Sequence, residues 1–237
     1  MTSYRIERAT DAQDLARRAS QTIASQIDLA LGERDRCQIA LSGGSTPGKA
    51  YTLLGQERLP WERVDVVLGD ERWVSADDDS SNARMVRGTL MAQEPGSKAI
   101  FHPVPTVELE SAEASSAVFA DLVQRICPGT PPIFDVMVLG LGDDGHTASL
   151  FPGTEAPGVT DVWATVGRGK GLDRISLTAP VLSAARQVIF LVAGAGKHEA
   201  LRRLIDPSES AERTPARLVQ PAKDVLILAD QDAAAGL

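Results

Sequence analysis

The sequence predicts an α/β fold: a single domain in three α/β/α layers, built on a mostly parallel, doubly wound sheet. Two observations carry that expectation. Short apolar runs of the kind buried on both faces alternate with amphipathic stretches of helical period. Four of those runs, "QIALSGGSTP", "VVLGDER", "VMVLGLGDDGH" and "IFLVAGAGK", end in polar, mostly glycine-bearing turns. The 237 residues and 43% hydrophobic content suit one sizeable core, so residues 1–237 are read as one domain.

Residues 4–8 read as a first strand. Leu15, Ala19, Ile23, Ile27 and Leu31 then recur at roughly helical spacing, which predicts an amphipathic helix. "CQIALSGGSTPGKAYTLL" follows as strand, glycine turn and helix, and "VDVVLGDERW" as strand and acidic turn. Helices are expected from about Ser81 to Met91 and near residues 110–126, before the breaker "CPGTPP". Val136 to Leu141 form a buried-type strand, and strands are expected at about 160–166 and 173–178. "QVIFLVAGAGKHEALRRLI" repeats the strand, turn and helix, and "DVLILAD" closes as a strand. No repeat, low-complexity linker or shift in composition marks a second domain.

Composition narrows the function. A formal net charge of -8 argues against nucleic acid as a partner, although a few local cations suffice for a small anion. No apolar run approaches the roughly 18 residues of a membrane span. The N-terminus "MTSYRIERATDAQ" lacks the layout of a signal peptide, so a cytoplasmic location is expected. Cys37 and Cys127 show neither metal nor redox spacing and are expected to be reduced and structural.

The four polar turns carry the chemistry, because the carboxyl ends of parallel strands share one edge, where ligands bind. In "SGGSTPG", Gly43 and Gly44 permit close backbone approach. Ser42, Ser45 and Thr46 bring hydroxyls, and Pro47 suits a first helical turn. A helix N-terminus there would hold a phosphate, although many such turns are glycine-rich for packing alone. "AGAGKH" places Lys197 near a helix start, where a cation is unfavourable unless an anion neutralises it. "GDERW" offers Asp70, Glu71 and Arg72, which alone would read as a surface ion-pair cluster. In the nearby "DDDSSN", Asn82 is placed to reach the same crevice.

"GDDGH" sets His146 in a glycine-bracketed turn with Asp144 beside it. An imidazole can take and return a proton near neutral pH, and a carboxylate can orient it. The competing reading is a histidine that caps a following helix. No His/Cys spacing completes a zinc site, and no serine sits in a nucleophile elbow, so neither a metal nor a covalent serine mechanism is expected.

Taken in order, "LSGGSTP", "GDERWV" with its later "SN", "GLGDDGHTASLFPG", "RISLTAPVLSAARQVIFLVAGAGKHEAL" and "PARLVQP" resemble the bacterial 6-phosphogluconolactonases. The superfamily is shared with glucosamine-6-phosphate deaminases. The resemblance runs from about Ile39 to Pro221. The deaminases are expected to continue after the histidine with an Asn-Glu-Pro stretch, where this chain has Thr147, Ala148, Ser149 and Leu150. They also carry an aromatic residue at the position of Arg72. The tail "LILADQDAA" departs by lacking an aromatic near its strand.

The resemblance implies hydrolysis of 6-phospho-D-glucono-1,5-lactone, with His146 as general base. It also implies that Arg72, with Arg174 of "DRISLT", stabilises developing oxyanion charge or holds the phosphate. Gly43, Gly44, Ser45, Thr46 and Lys197 would grip the phosphate, and Asp70 would hold Arg72 or a sugar hydroxyl. The implied partner is a small phosphorylated sugar lactone, with no cofactor and a monomeric chain. Two alternatives remain, a glucosamine-6-phosphate deaminase or isomerase and a non-catalytic sugar-phosphate sensor; the chain starts directly with its first strand and leaves no room for a DNA-binding module. Any lactonase activity is expected to survive exhaustive chelation, and a loss that zinc restores would contradict this reading of His146.

Overall fold

The computed structural model describes residues 2–237. In chain order the first elements are β1 (Tyr4–Ala9), α1 (Ala12–Glu33), β2 (Cys37–Leu41), α2 (Ser45–Leu54), β3 (Val64–Leu68), β4 (Asp70–Arg72), α3 (Asn82–Gly88) and β5 (Ile100–Phe101). There follow α4 (Ala112–Ile126), β6 (Val136–Gly140), β7 (Ala164–Gly169), β8 (Leu172–Leu177), α5 (Ala179–Ala184), β9 (Gln187–Val192), α6 (His198–Ile205) and β10 (Val225–Asp230). Seven strands pair in the order β1-β10-β9-β6-β2-β3-β5, every neighbour parallel, with helices on both sides.

Helix α1 shows why the pattern was readable. Asp11 caps it by accepting from the backbone N–H groups of Gln13 and Asp14, and Leu15, Ala19, Ile23, Ile27 and Leu31 are all buried. The strands are equally plain. All five residues of β2 and of β3 are buried, as a sheet covered on both faces requires. Strand order reverses between β6 and β2: the chain moves from β2 outward through β3 to β5, and from β6 outward the other way through β9 to β10. This is a topological switch point, where open α/β sheets bind ligands.

Two expectations need correction, two expected strands are present with shifted bounds, and one strand went unread. Residues 70–72 are no turn but β4, which joins β7 and β8 in a separate three-stranded antiparallel sheet. Three residues are too few for an alternation to register. The strands expected at 160–166 and 173–178 are β7 and β8, joined by a tip of Lys170 and Gly171 with φ of 55° and 80°, the pattern of a two-residue hairpin turn. The helix expected from Ser81 to Met91 stops at Gly88, and Leu90–Ala92 form a separate 3-10 turn. Strand β5, two residues long, gave no periodic signal. Both cysteines are buried and free, and burial pushes their thiol pKa values up, in keeping with a structural role.

Alternation along β4 sends Asp70 and Arg72 to one face and Glu71 to the other. Glu71, 1% exposed, accepts from the backbone N–H groups of Arg72 (2.8 Å), Asn82 (2.8 Å) and Ala83 (2.7 Å) and from the Ser81 hydroxyl (3.1 Å). One buried carboxylate thus ties β4 to the start of α3. Glu71→Gln replaces an acceptor oxygen with a donor and is expected to cost about 2 kcal/mol. A lower urea midpoint at unchanged slope would show it, and an unchanged midpoint would mean that the tie contributes nothing.

Candidate active site

The four polar turns do meet. The carboxyl ends of β9, β6, β2 and β3 are consecutive along the sheet, and their turns wall a cleft of about 270 Å³. Ser42, Gly43, Gly44, Ser45, Thr46, Asp70, Arg72, Asn82, His146, Arg174 and Lys197 all line it. Asp144 stands one step back and acts on the cleft through His146.

The turn after β2 is shaped by what lies against it. Gly44 has φ 111°, and α2 starts directly after it without a side-chain cap, leaving first-turn N–H groups for a ligand. A Cβ on Gly43 would fall 1.9 Å from Asn82 Oδ1. The Asn82 amide donates to the Asp70 carbonyl oxygen at 2.8 Å, so any side chain at Gly43 would collide with a fixed group. Across the cleft, Lys197 ends a 3-10 turn, Ala195–Lys197, that leads into α6.

The antiparallel sheet brings in the arginines. Arg72 lies directly opposite Arg174, and Asp70 opposite Ser176. Like charges facing each other across a ladder are destabilising, and here burial adds to the cost. Arg174 is 8% exposed, stacks over the Phe151 ring at 5.4 Å and approaches Asp70 Oδ2 at 3.8 Å. Burial first, then the Arg72 charge, pushes its pKa down against the pull of Asp70. The Nε atoms of both arginines are buried without a partner. Asp70 therefore sits by Arg174 rather than Arg72, whose guanidinium donates to the Ser80 carbonyl oxygen, and Asp70 accepts from the Ser149 hydroxyl at 2.6 Å.

His146 is held by its own turn. Gly145 takes φ 92°, and the His146 backbone N–H donates to Asp144 Oδ1 at 3.1 Å. The same oxygen lies 2.5 Å from His146 Nδ1. A Cβ on Gly142 would stand 2.0 Å from Nδ1, so the pair needs a glycine beneath it. No helix follows His146; residues 147 and 150 form an isolated bridge, which removes the capping alternative. The ring packs against Phe151 with centroids 4.4 Å apart, and its side chain is 15% exposed.

An ionised carboxylate only accepts, so Nδ1 carries a hydrogen towards Asp144, and in the neutral ring Nε2 keeps the lone pair. Burial pushes the His146 pKa below the ordinary imidazole value, and the Asp144 hydrogen bond and charge offset part of that. For Asp144, burial works upward but is outweighed by the hydrogen bonds from the His146 backbone and ring, and its pKa is held low. A neutral, oriented imidazole has the form that general-base chemistry requires. Among the described residues, no group of three or more His, Cys, Asp or Glu side chains is placed to hold a metal ion.

Sequence reasoning assigned no part in the cleft to Ala148, Lys170, Leu191, Val192 or Ala193, nor to the Phe151 ring packed against His146 and Arg174. The signal for Lys170 was the Lys-Gly pair of "RGKGL", a two-residue hairpin tip.

The family described as glucosamine-6-phosphate isomerases/6-phosphogluconolactonase matches residues 10–228. The chain belongs to this family. A 6-phosphogluconolactonase from Synechocystis is 41% identical over 227 residues, covering 95% of each protein, and one from Nostoc is 40% identical over 235 residues, covering 98% of each. Among solved structures, a 6-phosphogluconolactonase from Shewanella baltica superposes with a TM-score of 0.87 at 30% identity, over 97% of this chain and 98% of that one. One from Trypanosoma brucei reaches 0.88 at 28%, covering both chains fully. A monomeric glucosamine-6-phosphate deaminase shares the fold with a TM-score of 0.78 at 21% identity.

In a family enzyme that draws on His146 as a base, Asp144→Asn removes an influence that raises the imidazole pKa. The acidic limb of kcat/KM is expected to move to lower pH while kcat falls at least about 10-fold. A limb that stays in place at full kcat would show that Asp144 does not act on the base.

Proposed function

We propose that this chain hydrolyses 6-phospho-D-glucono-1,5-lactone to 6-phospho-D-gluconate, the lactonase step of the oxidative pentose phosphate route, with His146 as general base. The observation that carries the reading is the Asp144–His146 pair facing the same cleft as two opposed arginines and a glycine cradle at a helix start. The first two supply a base and a home for negative charge; the third supplies a phosphate seat.

In this reading His146 Nε2 takes a proton from water as the water oxygen adds to the lactone carbonyl carbon. The carbonyl oxygen becomes an oxyanion, for which Arg72 and Arg174 are the available cations. Collapse of the tetrahedral intermediate breaks the bond to the ring oxygen, and Nε2–H returns the proton to that oxygen. The product acid then ionises. Asp144 holds the imidazole and stabilises the imidazolium between the two transfers. Ser42, Gly43, Gly44, Ser45, Thr46 and Lys197 seat the phosphate, while Asn82 and Asp70 fix the cradle and Arg174. General acid-base catalysis of this kind contributes about 10²- to 10⁴-fold.

The test is kinetic. His146→Gln is expected to keep the fold and phosphosugar binding, to lower kcat by about 10²-fold or more, and to abolish the acidic limb of kcat/KM. A mutant with the wild-type pH profile would move the base elsewhere. Wild type is also expected to release no ammonia from glucosamine 6-phosphate, and release at a rate comparable to lactone loss would overturn the assignment.

A further inference from the structure

Helix α6 buries Ala200, Leu201, Arg203 and Leu204. Three of these are what the inner face of an amphipathic helix calls for, and the fourth is a cation. Arg203 is 7% exposed, and its Nε is buried without a hydrogen-bond partner. A buried charge so thinly paired is costly, and an apolar side chain of similar volume would pack there at lower cost. The hydrogen bond that Arg203 does make runs towards the cleft, where Nη2 donates to the Asp143 carbonyl oxygen at 3.1 Å.

Asp143 opens the turn that carries Asp144, Gly145 and His146. The turn closes on itself: the Gly145 N–H donates to the Gly142 carbonyl oxygen at 3.0 Å, and the Gly142 N–H to that of His146 at 2.8 Å. From behind it is gripped by the Arg203 guanidinium on Asp143 and by the Ala216 N–H, which donates to the Gly145 carbonyl oxygen at 3.0 Å. Arg217 joins these two supports by donating to the Leu204 carbonyl oxygen at 2.7 Å, so α6 and the residues after it back the turn together. A Cβ on Gly145 would come 3.0 Å from Thr214 Cα, which leaves no slack on that side. With the carbonyls of Asp143 and Gly145 both held, Asp144 Oδ1 is presented to the backbone N–H and to Nδ1 of His146 at once.

We propose that Arg203 is a positioning residue for His146: its guanidinium fixes the Asp143 carbonyl and, through the turn, the placement of Asp144 on the imidazole. The proposal rests on the reading of His146 as general base. Arg203 grips a carbonyl rather than a carboxylate, so it holds the turn and leaves the Asp144 charge to the imidazole. Burial aside, the charges that reach His146 come from Asp144 in its own turn, Lys170 at the β7–β8 tip and Asp70 on β4, and Arg174 stacks on the Phe151 ring that packs against it. Of these, Asp144 is the one that a slackened turn would release. With it would go an influence that raises the imidazole pKa and keeps the hydrogen on Nδ1.

The experiment compares Arg203→Met with wild type in lactone kinetics and in the ¹⁵N spectrum of the His146 ring. Methionine keeps much of the stem's bulk and removes the donor; Arg203→Gln, polar but too short to reach the carbonyl, gives the same readouts should the methionine variant not fold. In either variant kcat on 6-phospho-D-glucono-1,5-lactone is expected to fall about 10-fold or more, with KM changed less than about 3-fold. The ring is expected to pass from the Nδ1–H tautomer to a mixture with Nε2–H, and the acidic limb of kcat/KM to move to lower pH as the Asp144 influence is lost. A wild-type tautomer with an unmoved limb in the folded variant would overturn the proposal whatever the loss of stability, because a purely structural arginine gives that result. A loss confined to KM would overturn it too. Wild type that does not hydrolyse the lactone would sink the lactonase reading alone, since the ring tautomer still decides for or against Arg203.

Discussion

Parallel pairing of β6 with β2 on one side and β9 on the other is the constraint on which the cleft depends. Because all three strands run the same way, their polar turns leave the sheet at one edge, and the reversal of strand order between β6 and β2 parts the helices there. The strands themselves need only be apolar and of matched length. The residues past them are then free to be glycine, serine, aspartate and histidine, because the buried runs before them hold the edge in place. This explains how "VMVLG" can pass into "LGDDGH" without interrupting the core.

The second sheet supplies what the first lacks. It branches from β3 through Gly69 and lies over the cleft, so that Arg72, Arg174 and Lys170 arrive from above while Lys197 and the α2 N-terminus lie at the sheet edge. A chain with a net charge of -8 thus concentrates cations in one place. Two opposed arginines with buried, unpaired Nε atoms are an unfavourable arrangement. A negative charge beside them would relieve it. The cost is met structurally by contacts outside the cleft, chief among them the Glu71 carboxylate that joins β4 to α3 and the Phe151 ring beneath Arg174.

Legibility in the sequence followed the range of the interaction responsible. Helix α1 was visible because its cap and its buried stripe are local. The glycine cradle and the Asp144–His146 turn were visible because residues a few positions apart make both. Strand β4 was not, since its three residues become a strand only by pairing with β8, about a hundred positions away. The same distance hid the partner of Asp70: the resemblance implied Arg72 or a sugar hydroxyl, whereas the ladder places Arg174 beside it. Gly43 was read as permitting close backbone approach and Gly142 only as part of the glycine-bracketed turn, and their actual reasons, the Asn82 amide and the His146 ring, needed the folded geometry. Glu71 was grouped with the acidic turn although alternation along a strand turns it away from the cleft.

The central claim is a neutral His146 with hydrogen on Nδ1, given to Asp144, and a lone pair on Nε2 facing the cleft. The most direct measurement is an ¹⁵N NMR titration of the His146 ring in the free protein. The expected result is the Nδ1–H tautomer at neutral pH, protonating below the ordinary imidazole value of 6.5 and in step with the acidic limb of kcat/KM. An Nε2–H tautomer, or a ring already protonated at neutral pH, would contradict it.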